Sequence, residues 1–333
     1  MRAMVLSAQA TVETSPLSES DQPMREPGPG EARVRVRACG ACRTDVHVIE
    51  GDLPARRLPL VPGHQVVGTV DALGPGATRF RAGDRVGIAW LRSTCGRCRF
   101  CLGGSENLCP QSTYTGWTHD GGYAEYACVP EAFAYAIPPV FGDAEATPLL
   151  CAGIIGYRAL RRSQVPKGGR LGLYGFGSSA HVTLQVARHW GCTVYVATRE
   201  AARQRLALKL GAAWAGAAGD PLPDKLDGAI VFAPVGALVP IALRDLDKGG
   251  TVALAGIHVT DLPAMAYEPH LFWEKTLRSV TANTRADGEA LLAEAAAIPI
   301  RPRVTRYRLE DANRALADIK SSEVEATAVL MLD

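Results

Sequence analysis

The chain has 333 residues, about twice a typical ~150-residue domain, so two domains are the expected count. Hydrophobic residues make up 47% and charged residues 21%, which excludes a disordered or fibrous chain, and a formal charge of +2 leaves no field for nucleic acid or an anionic membrane. No apolar run approaches the ~20 residues of a bilayer span and the opening MRAMVLSAQA lacks a signal-peptide core, so the expected compartment is the cytoplasm, with no membrane partner.

The nine cysteines stand at 39, 42, 95, 98, 101, 109, 128, 151 and 192. An odd count without a secretion signal argues against a disulfide framework and for thiols kept free for metals or chemistry. In chain order, Cys39-Gly-Ala-Cys42-Arg43-Thr44-Asp45-Val46-His47 comes first, then Pro62-Gly63-His64-Gln65, and later Pro148-Leu149-Leu150-Cys151. A lone histidine after glycine is more often a loop residue than a ligand, and a cysteine in an apolar stretch is more often a small core residue. Spacing alone therefore does not join Cys42, His64 and Cys151. Between them, Cys95, Cys98, Cys101 and Cys109 form a C-x2-C-x2-C-x7-C run in a loop rich in Gly, Arg and Ser. Four thiolates at such spacing close round one tetrahedral ion, so the expectation is a structural zinc without an open position; an iron–sulfur cluster is the alternative within metal chemistry.

From Arg170 the pattern changes. Leu171 to Tyr174 reads as a short buried strand, and Gly175-Phe176-Gly177-Ser178-Ser179-Ala180 opens a helix that runs to Trp190 with apolar residues at helical spacing. A G-x-G-x-x-A turn between strand and helix suits a pyrophosphate on a helix N-terminus. A second strand is expected at Cys192 to Ala197, and further alternation at Leu226 to Ala233 and Thr251 to Ile257. At the tip of the second strand, where an acid would hold the adenosine ribose of NAD, stand Ala197-Thr198-Arg199. A hydroxyl and a guanidinium there, with Arg203 nearby, suit a 2′-phosphate, so NADP(H) is expected over NAD(H); Glu200 is the residue that would serve NAD. Gly256-Ile257-His258 and Asn283-Thr284 end expected parallel strands, the edge where such sheets bind ligands, which assigns them to the nicotinamide.

Taken together, and with Gly83-Asp84-Arg85-Val86 and Gly121-Gly122-Tyr123-Ala124-Glu125-Tyr126 in their places, these segments resemble the zinc-dependent medium-chain alcohol dehydrogenases over essentially the whole chain. The resemblance implies an α/β fold, with a GroES-like β-rich catalytic domain at 1–150 carrying both zinc sites and a doubly wound Rossmann domain at 151–284. Residues 285–333 would return to the first domain, and substrate would sit in the cleft between the two. It further implies a catalytic zinc on Cys42, His64 and Cys151, hence two zinc ions per chain, one catalytic and one structural. Thr44 resembles the hydroxyl that exchanges a proton with the substrate oxygen, and His47 the end of the relay that passes it to solvent. Arg43 resembles a pyrophosphate contact, Asp45 the carboxylate that orients His64, and Trp90 an aromatic wall that favours small or slender substrates. Cys39, Cys128 and Cys192 have no place in the pattern and read as packing residues. One departure stands out: Gln65 replaces the glutamate usual after the ligand histidine, which leaves the metal one negative charge poorer and a stronger Lewis acid.

The expected reaction is hydride exchange between a nicotinamide cofactor and a small alcohol, aldehyde or ketone, by a homo-oligomer, dimer or tetramer. The rival is a catalytically impaired zinc- and dinucleotide-binding protein acting as a sensor or structural partner, with Gln65 as its support. Near the C-terminus, a helix is expected at Glu289 to Ala297, then Pro299-Ile-Arg-Pro302, a strand at Val304 to Leu309, another helix, and a strand at Ala326 to Leu332.

Overall fold

The computed structural model describes residues 1–298, 300–321, 323–324 and 327–332; Pro299 and Ala326 lie outside the described residues. The chain divides into two compact units, one of residues 1–151, 282–296 and 301–333, the other of residues 152–281 and 297–300. Cys151 and Asn283-Thr284 thus fall in the first unit. Among the described residues no helix is long and apolar enough to cross a membrane.

The first unit is built on a seven-stranded sheet. Its longest strand, Glu31–Ala41, buries Ala32, Val34 and Val36 while Arg35 and Arg37 between them face solvent, the period-two pattern of a strand with one covered face. Past Ala38 every residue to Ala41 is buried, so the strand turns wholly inward as it nears Cys42. It pairs antiparallel with Gln65–Leu73, Tyr126–Pro130 and Thr327–Met331; Gln65–Leu73 continues to Arg85–Ile88 and that to Ala134–Ala136. Val304–Arg308 closes the other edge, parallel to Thr327–Met331. The register sets Gly40 opposite Gln65, and from that pair the chain runs on to Cys42 on one strand and back to His64 on the other.

The second unit is a six-stranded parallel sheet whose strands, numbered in chain order, lie 3-2-1-4-5-6, the doubly wound arrangement. They are Arg170–Tyr174, Thr193–Ala197, Trp214–Gly216, Leu226–Val231, Leu246–Leu254 and Thr276–Ser279. Helices Ser178–His189, Ala201–Lys209 and Leu238–Asp245 follow strands one, two and four. Buried Leu171, Leu173, Val194, Val196, Ile230 and Val231 give these strands the near-continuous apolar character of a sheet covered on both faces.

Several expected boundaries move, among them the strand placed at Leu226 to Ala233, which ends at Val231. The strand placed at Thr251 to Ile257 runs from Leu246 to Leu254, because Leu246 already pairs with Leu226 ahead of a bulge. The helix placed at Glu289 begins at Arg285, because Asp287 accepts hydrogen bonds from the Thr284 backbone and hydroxyl while the Asp287 N–H returns one to that hydroxyl, a reciprocal cap. The strand placed at Val304 to Leu309 ends at Arg308, where a short 3-10 turn takes over.

Candidate functional site

Cys42 caps the helix Arg43–Glu50, which begins where the inward-turning strand ends. Its sulfur accepts the Thr44 N–H at 3.4 Å, and Asp45, three residues on, accepts the Cys42 N–H at 2.8 Å. A helix start offers spare N–H groups and a positive dipole end, so a thiolate is favoured there. The other oxygen of Asp45 lies 3.0 Å from His64 Nδ1. An ionised carboxylate can only accept, so Nδ1 carries the hydrogen and Nε2 is turned toward Cys42, whose sulfur is 3.6 Å away. Cys151 completes the group with its sulfur 3.9 Å from that of Cys42. These three ligand atoms all lie within 4.8 Å of one another.

The distances match what a metal would require. Sulfur and nitrogen bound at ~2.3 and ~2.0 Å to one tetrahedral ion stand about 3.5 Å apart, and two such sulfurs about 3.8 Å apart. The electrostatics agree. The hydrogen bond from Cys151, then the charge of His64, hold the Cys42 thiol well below the ordinary thiol range, while that same bond and burial push Cys151 well above it. Burial would lower the His64 pKa, but the charges of Asp45 and Cys42 outweigh it and raise it to about 10. The raised His64 and the lowered Cys42 favour a charged pair in the metal-free pocket, and a dication that took the place of the protons would remove the need for it.

Cys95, Cys98, Cys101 and Cys109 form the second group, with their sulfurs also within 4.8 Å of one another. Cys98 and Cys101 sulfurs are 3.5 Å apart and those of Cys95 and Cys101 3.9 Å, while Cys109 Sγ accepts the Cys95 and Gln111 N–H groups. The helix Arg99–Leu102 inside this lobe buries no side chain and leaves Leu102 exposed, so the lobe has little apolar core to hold it. Four sulfurs at tetrahedral spacing supply what packing does not.

Around the first group, Thr44 is half-buried beside Cys42, and His47, on the same helix, sets Nδ1 2.7 Å from Asp52. Gln65 is fully buried against Gly40, and among the described residues neither its amide nitrogen nor its oxygen meets a hydrogen-bond partner. Trp90 presents its edge to the His64 ring at 5.1 Å and stacks on Tyr114 and Trp117 at 5.1 and 5.8 Å. The two-stranded pairing of Leu91 with Tyr114 places these rings together, and Trp117 is fixed by its N–H to the Pro54 carbonyl. Arg43 donates to the Lys320 carbonyl at 3.1 Å.

In the second unit, Gly175 has φ of 93° and stands so close to Ala233 that a Cβ would come within 2.9 Å of its nitrogen. Gly177 caps the following helix, and among the described residues, its own chain neighbours aside, no atom lies within 4 Å of where its Cβ would be. The first turn, with Ser178 and Ser179, thus opens on space fit for a phosphate, while Ala180 is fully buried under it beside Phe176. Thr198 is buried at the end of the second strand. Arg199 follows it exposed, and Arg203 is paired with Glu200 at 2.6 Å. Gly256, Ile257 and His258 follow the fifth strand, with Ile257 exposed.

Three residues beside the first group were not legible in the sequence: Asp52, Tyr114 and Trp117. Only Tyr114-Thr-Gly-Trp117 carried a signal, two aromatics close behind the four-cysteine loop. Of the three spare thiols, Cys39 and Cys192 are buried as expected of packing residues, whereas Cys128 is half-buried and lines a cavity of about 380 Å³ with Arg25, Arg57 and His119.

Family models match in both parts of the chain, an alcohol dehydrogenase GroES-like domain over residues 28–139 and a zinc-binding dehydrogenase domain over residues 180–297. The chain is 53% identical to a probable alcohol dehydrogenase, AdhA, of Mycobacterium tuberculosis, across 100% of its own length and 97% of that protein. It is 35% identical to an alcohol dehydrogenase of Geobacillus stearothermophilus across 95% of each. Among solved structures, a cobalt- and zinc-bound thermostable alcohol dehydrogenase from Pyrobaculum aerophilum superposes with a TM-score of 0.90 at 26% identity, covering 100% of this chain and 99% of the other. The chain belongs to the zinc-type medium-chain alcohol dehydrogenases, and the reading as an impaired binding protein is not favoured.

Proposed function

We propose that this alcohol dehydrogenase interconverts small, slender or planar alcohols and their aldehydes or ketones, with NADP(H) preferred over NAD(H), at a zinc held by Cys42, His64 and Cys151. The observation that carries the reading is the convergence of those three ligand atoms with Asp45 behind them. Zinc there would act as a Lewis acid on the substrate oxygen, and the dinucleotide would exchange the hydride.

The chain's own residues supply the rest. Asp45 fixes the His64 tautomer so that Nε2 is free for the metal, and the helix start at Cys42 favours its thiolate. Three protein ligands leave a fourth position for substrate or water. Thr44 takes the alcohol proton and His47, backed by Asp52, passes it outward; in reduction the order reverses. Trp90, Tyr114 and Trp117 make a flat wall that accepts planar groups and excludes bulk from the metal side. Cys95, Cys98, Cys101 and Cys109 hold a closed structural zinc.

Gly175 to Ala180 take the pyrophosphate on a helix N-terminus with Arg43 as a further cation, and Gly256, Ile257, His258, Asn283 and Thr284 meet the nicotinamide. Exposed Arg199 beside Thr198, with Glu200 tied to Arg203, supports the 2′-phosphate. The enzyme acts as a homo-oligomer.

The test is a panel of aldehydes and ketones assayed with NADPH and with NADH, beside the zinc content of the same sample. Turnover with two zinc ions per chain and a higher kcat/KM for NADPH is expected. A higher value for NADH overturns the cofactor preference, and a protein that binds zinc and dinucleotide without turnover overturns the catalytic reading.

A further inference from the structure

Glu106 lies inside the four-cysteine lobe, three residues before Cys109, and its carbonyl accepts the Cys109 N–H at 3.0 Å. Its side chain is buried and reaches across the unit to Arg285. One carboxylate oxygen accepts the Arg285 backbone N–H at 2.8 Å and Nε at 3.0 Å; the other accepts Nη2 at 2.6 Å and Nε at 3.1 Å. The guanidinium also lies over the Phe133 ring at 4.6 Å. A two-pronged pair that includes a backbone amide fixes the main chain as well as a side chain.

The main chain it fixes begins the segment Asn283 to Asp287. Asn283 and Thr284 are buried; Asn283 donates to the Tyr135 hydroxyl at 3.3 Å, and Thr284 is locked to Asp287 by the reciprocal cap. On the far side, the helix Arg99–Leu102 of the lobe that presents Glu106 buries no side chain, and the lobe's four sulfurs lie within 4.8 Å of one another, so a metal held there would order it. The segment is thus anchored to a lobe that a metal would close.

We infer that Glu106 is a positioning residue for cofactor binding, through which the metal-closed four-cysteine lobe holds Asn283 and Thr284 in place to receive the nicotinamide. The lobe then serves the reaction as well as the fold: loosening Glu106 frees the segment while both metal groups keep all their ligands. The inference rests on the proposed assignment of Asn283 and Thr284 to the cofactor.

The experiment uses the zinc-loaded full chain and Glu106→Gln, which keeps the shape but loses the charge. Hydrogen exchange of amides 283–288 and NADPH affinity are measured together with zinc content. Exchange should rise about tenfold or more and NADPH Kd should weaken at least fivefold, while zinc content should stay within twofold. Arg285→Ala, which removes only a partly exposed side chain, serves if that variant folds poorly, with a shift in the same direction of about threefold. Unchanged exchange would show that Glu106 does not hold the segment; faster exchange with Kd within twofold would show that the cofactor does not need it, and either result overturns the inference. Failure of the parent chain to bind either dinucleotide would instead overturn the functional reading beneath it.

Discussion

Replacing Asp45 by Asn tests the reading of the metal group at its most constrained residue. Asp45 is almost fully buried and makes two bonds, one to the Cys42 N–H at 2.8 Å and one to His64 Nδ1 at 3.0 Å. An amide oxygen still caps the helix, so the loss at Cys42 is a charge-assisted bond reduced to a neutral one, about 1 kcal/mol. At His64 the change is larger. With the amide oxygen kept on Cys42, the NH₂ faces Nδ1 and favours the tautomer whose Nε2 carries hydrogen, which cannot ligate. Loss of such a partner costs roughly 10- to 100-fold in metal affinity, or about 1.4–2.7 kcal/mol. Zinc transfer to a chromophoric chelator should therefore show one phase released 10- to 100-fold more easily in Asp45→Asn, while the four-cysteine phase stays unchanged as an internal control. Two phases that both match the parent within twofold would refute the claim that Asp45 sets the tautomer. A variant with both phases weakened equally would place its effect in the fold, not at the site.

Four further outcomes follow from the same geometry. Thr44→Ala should lower kcat by roughly 10²-fold or more with zinc content unchanged, the scale of a lost acid–base group; an unaltered kcat removes Thr44 from the proton path. Gln65→Glu restores a negative charge beside His64 in a fully buried place, and should tighten zinc and lower kcat for aldehyde reduction several-fold, read by competition titration and steady-state rates. Arg199→Glu should reverse the NADPH preference by about 10-fold or more in kcat/KM, and an unchanged ratio would take Arg199 out of cofactor choice. Zinc affinity at Cys42, His64 and Cys151 should climb steeply with pH. The metal-free His64 has its pKa raised to about 10 and Cys151 is raised well above the thiol range, so below pH 10 both must release a proton on binding, whereas Cys42, held well below that range, gives up its proton at lower pH. Calorimetry in buffers of different ionisation enthalpy should count about two protons released near pH 8, and a count near zero would contradict the charge state assigned to the pocket.

How much of this could be read from the chain differs between its two halves. In the second unit the pattern is local: strand, Gly175 to Ala180 and helix are contiguous, so the proposed phosphate cradle is written in one stretch of sequence. The four-cysteine lobe is legible for the same reason. The short strands Trp214–Gly216 and Thr276–Ser279 are not, since three or four residues carry too little periodicity to stand out and are fixed by pairing with longer neighbours. The start of the helix at Arg285 was missed because its cap uses Asp287 at the third position, and a hydroxyl–carboxylate pair reads as loop until the bonds are seen.

The triad of Cys42, His64 and Cys151 shows the limit of spacing as evidence. Their separations in sequence say nothing, and only family resemblance joined them. Three long-range contacts do so in space: the pairing of Gly40 with Gln65, the reach of Asp45 to His64, and the approach of Cys151 to Cys42. The first is a register, and a slip of one residue would turn Gln65 and its neighbours to the opposite face. Gly40 is what the register needs at that point, because a Cβ there would lie 2.9 Å from the Gln65 amide oxygen. The buried, unbonded Gln65 amide is the feature neither packing nor the helix cap explains, since leaving such a group without partners costs about 1–3 kcal/mol. On the proposed zinc assignment, a polar side chain kept there at that cost, next to His64 in sequence, would act on the metal, and Gln65→Glu is the substitution that separates a tuned centre from a merely tolerated one.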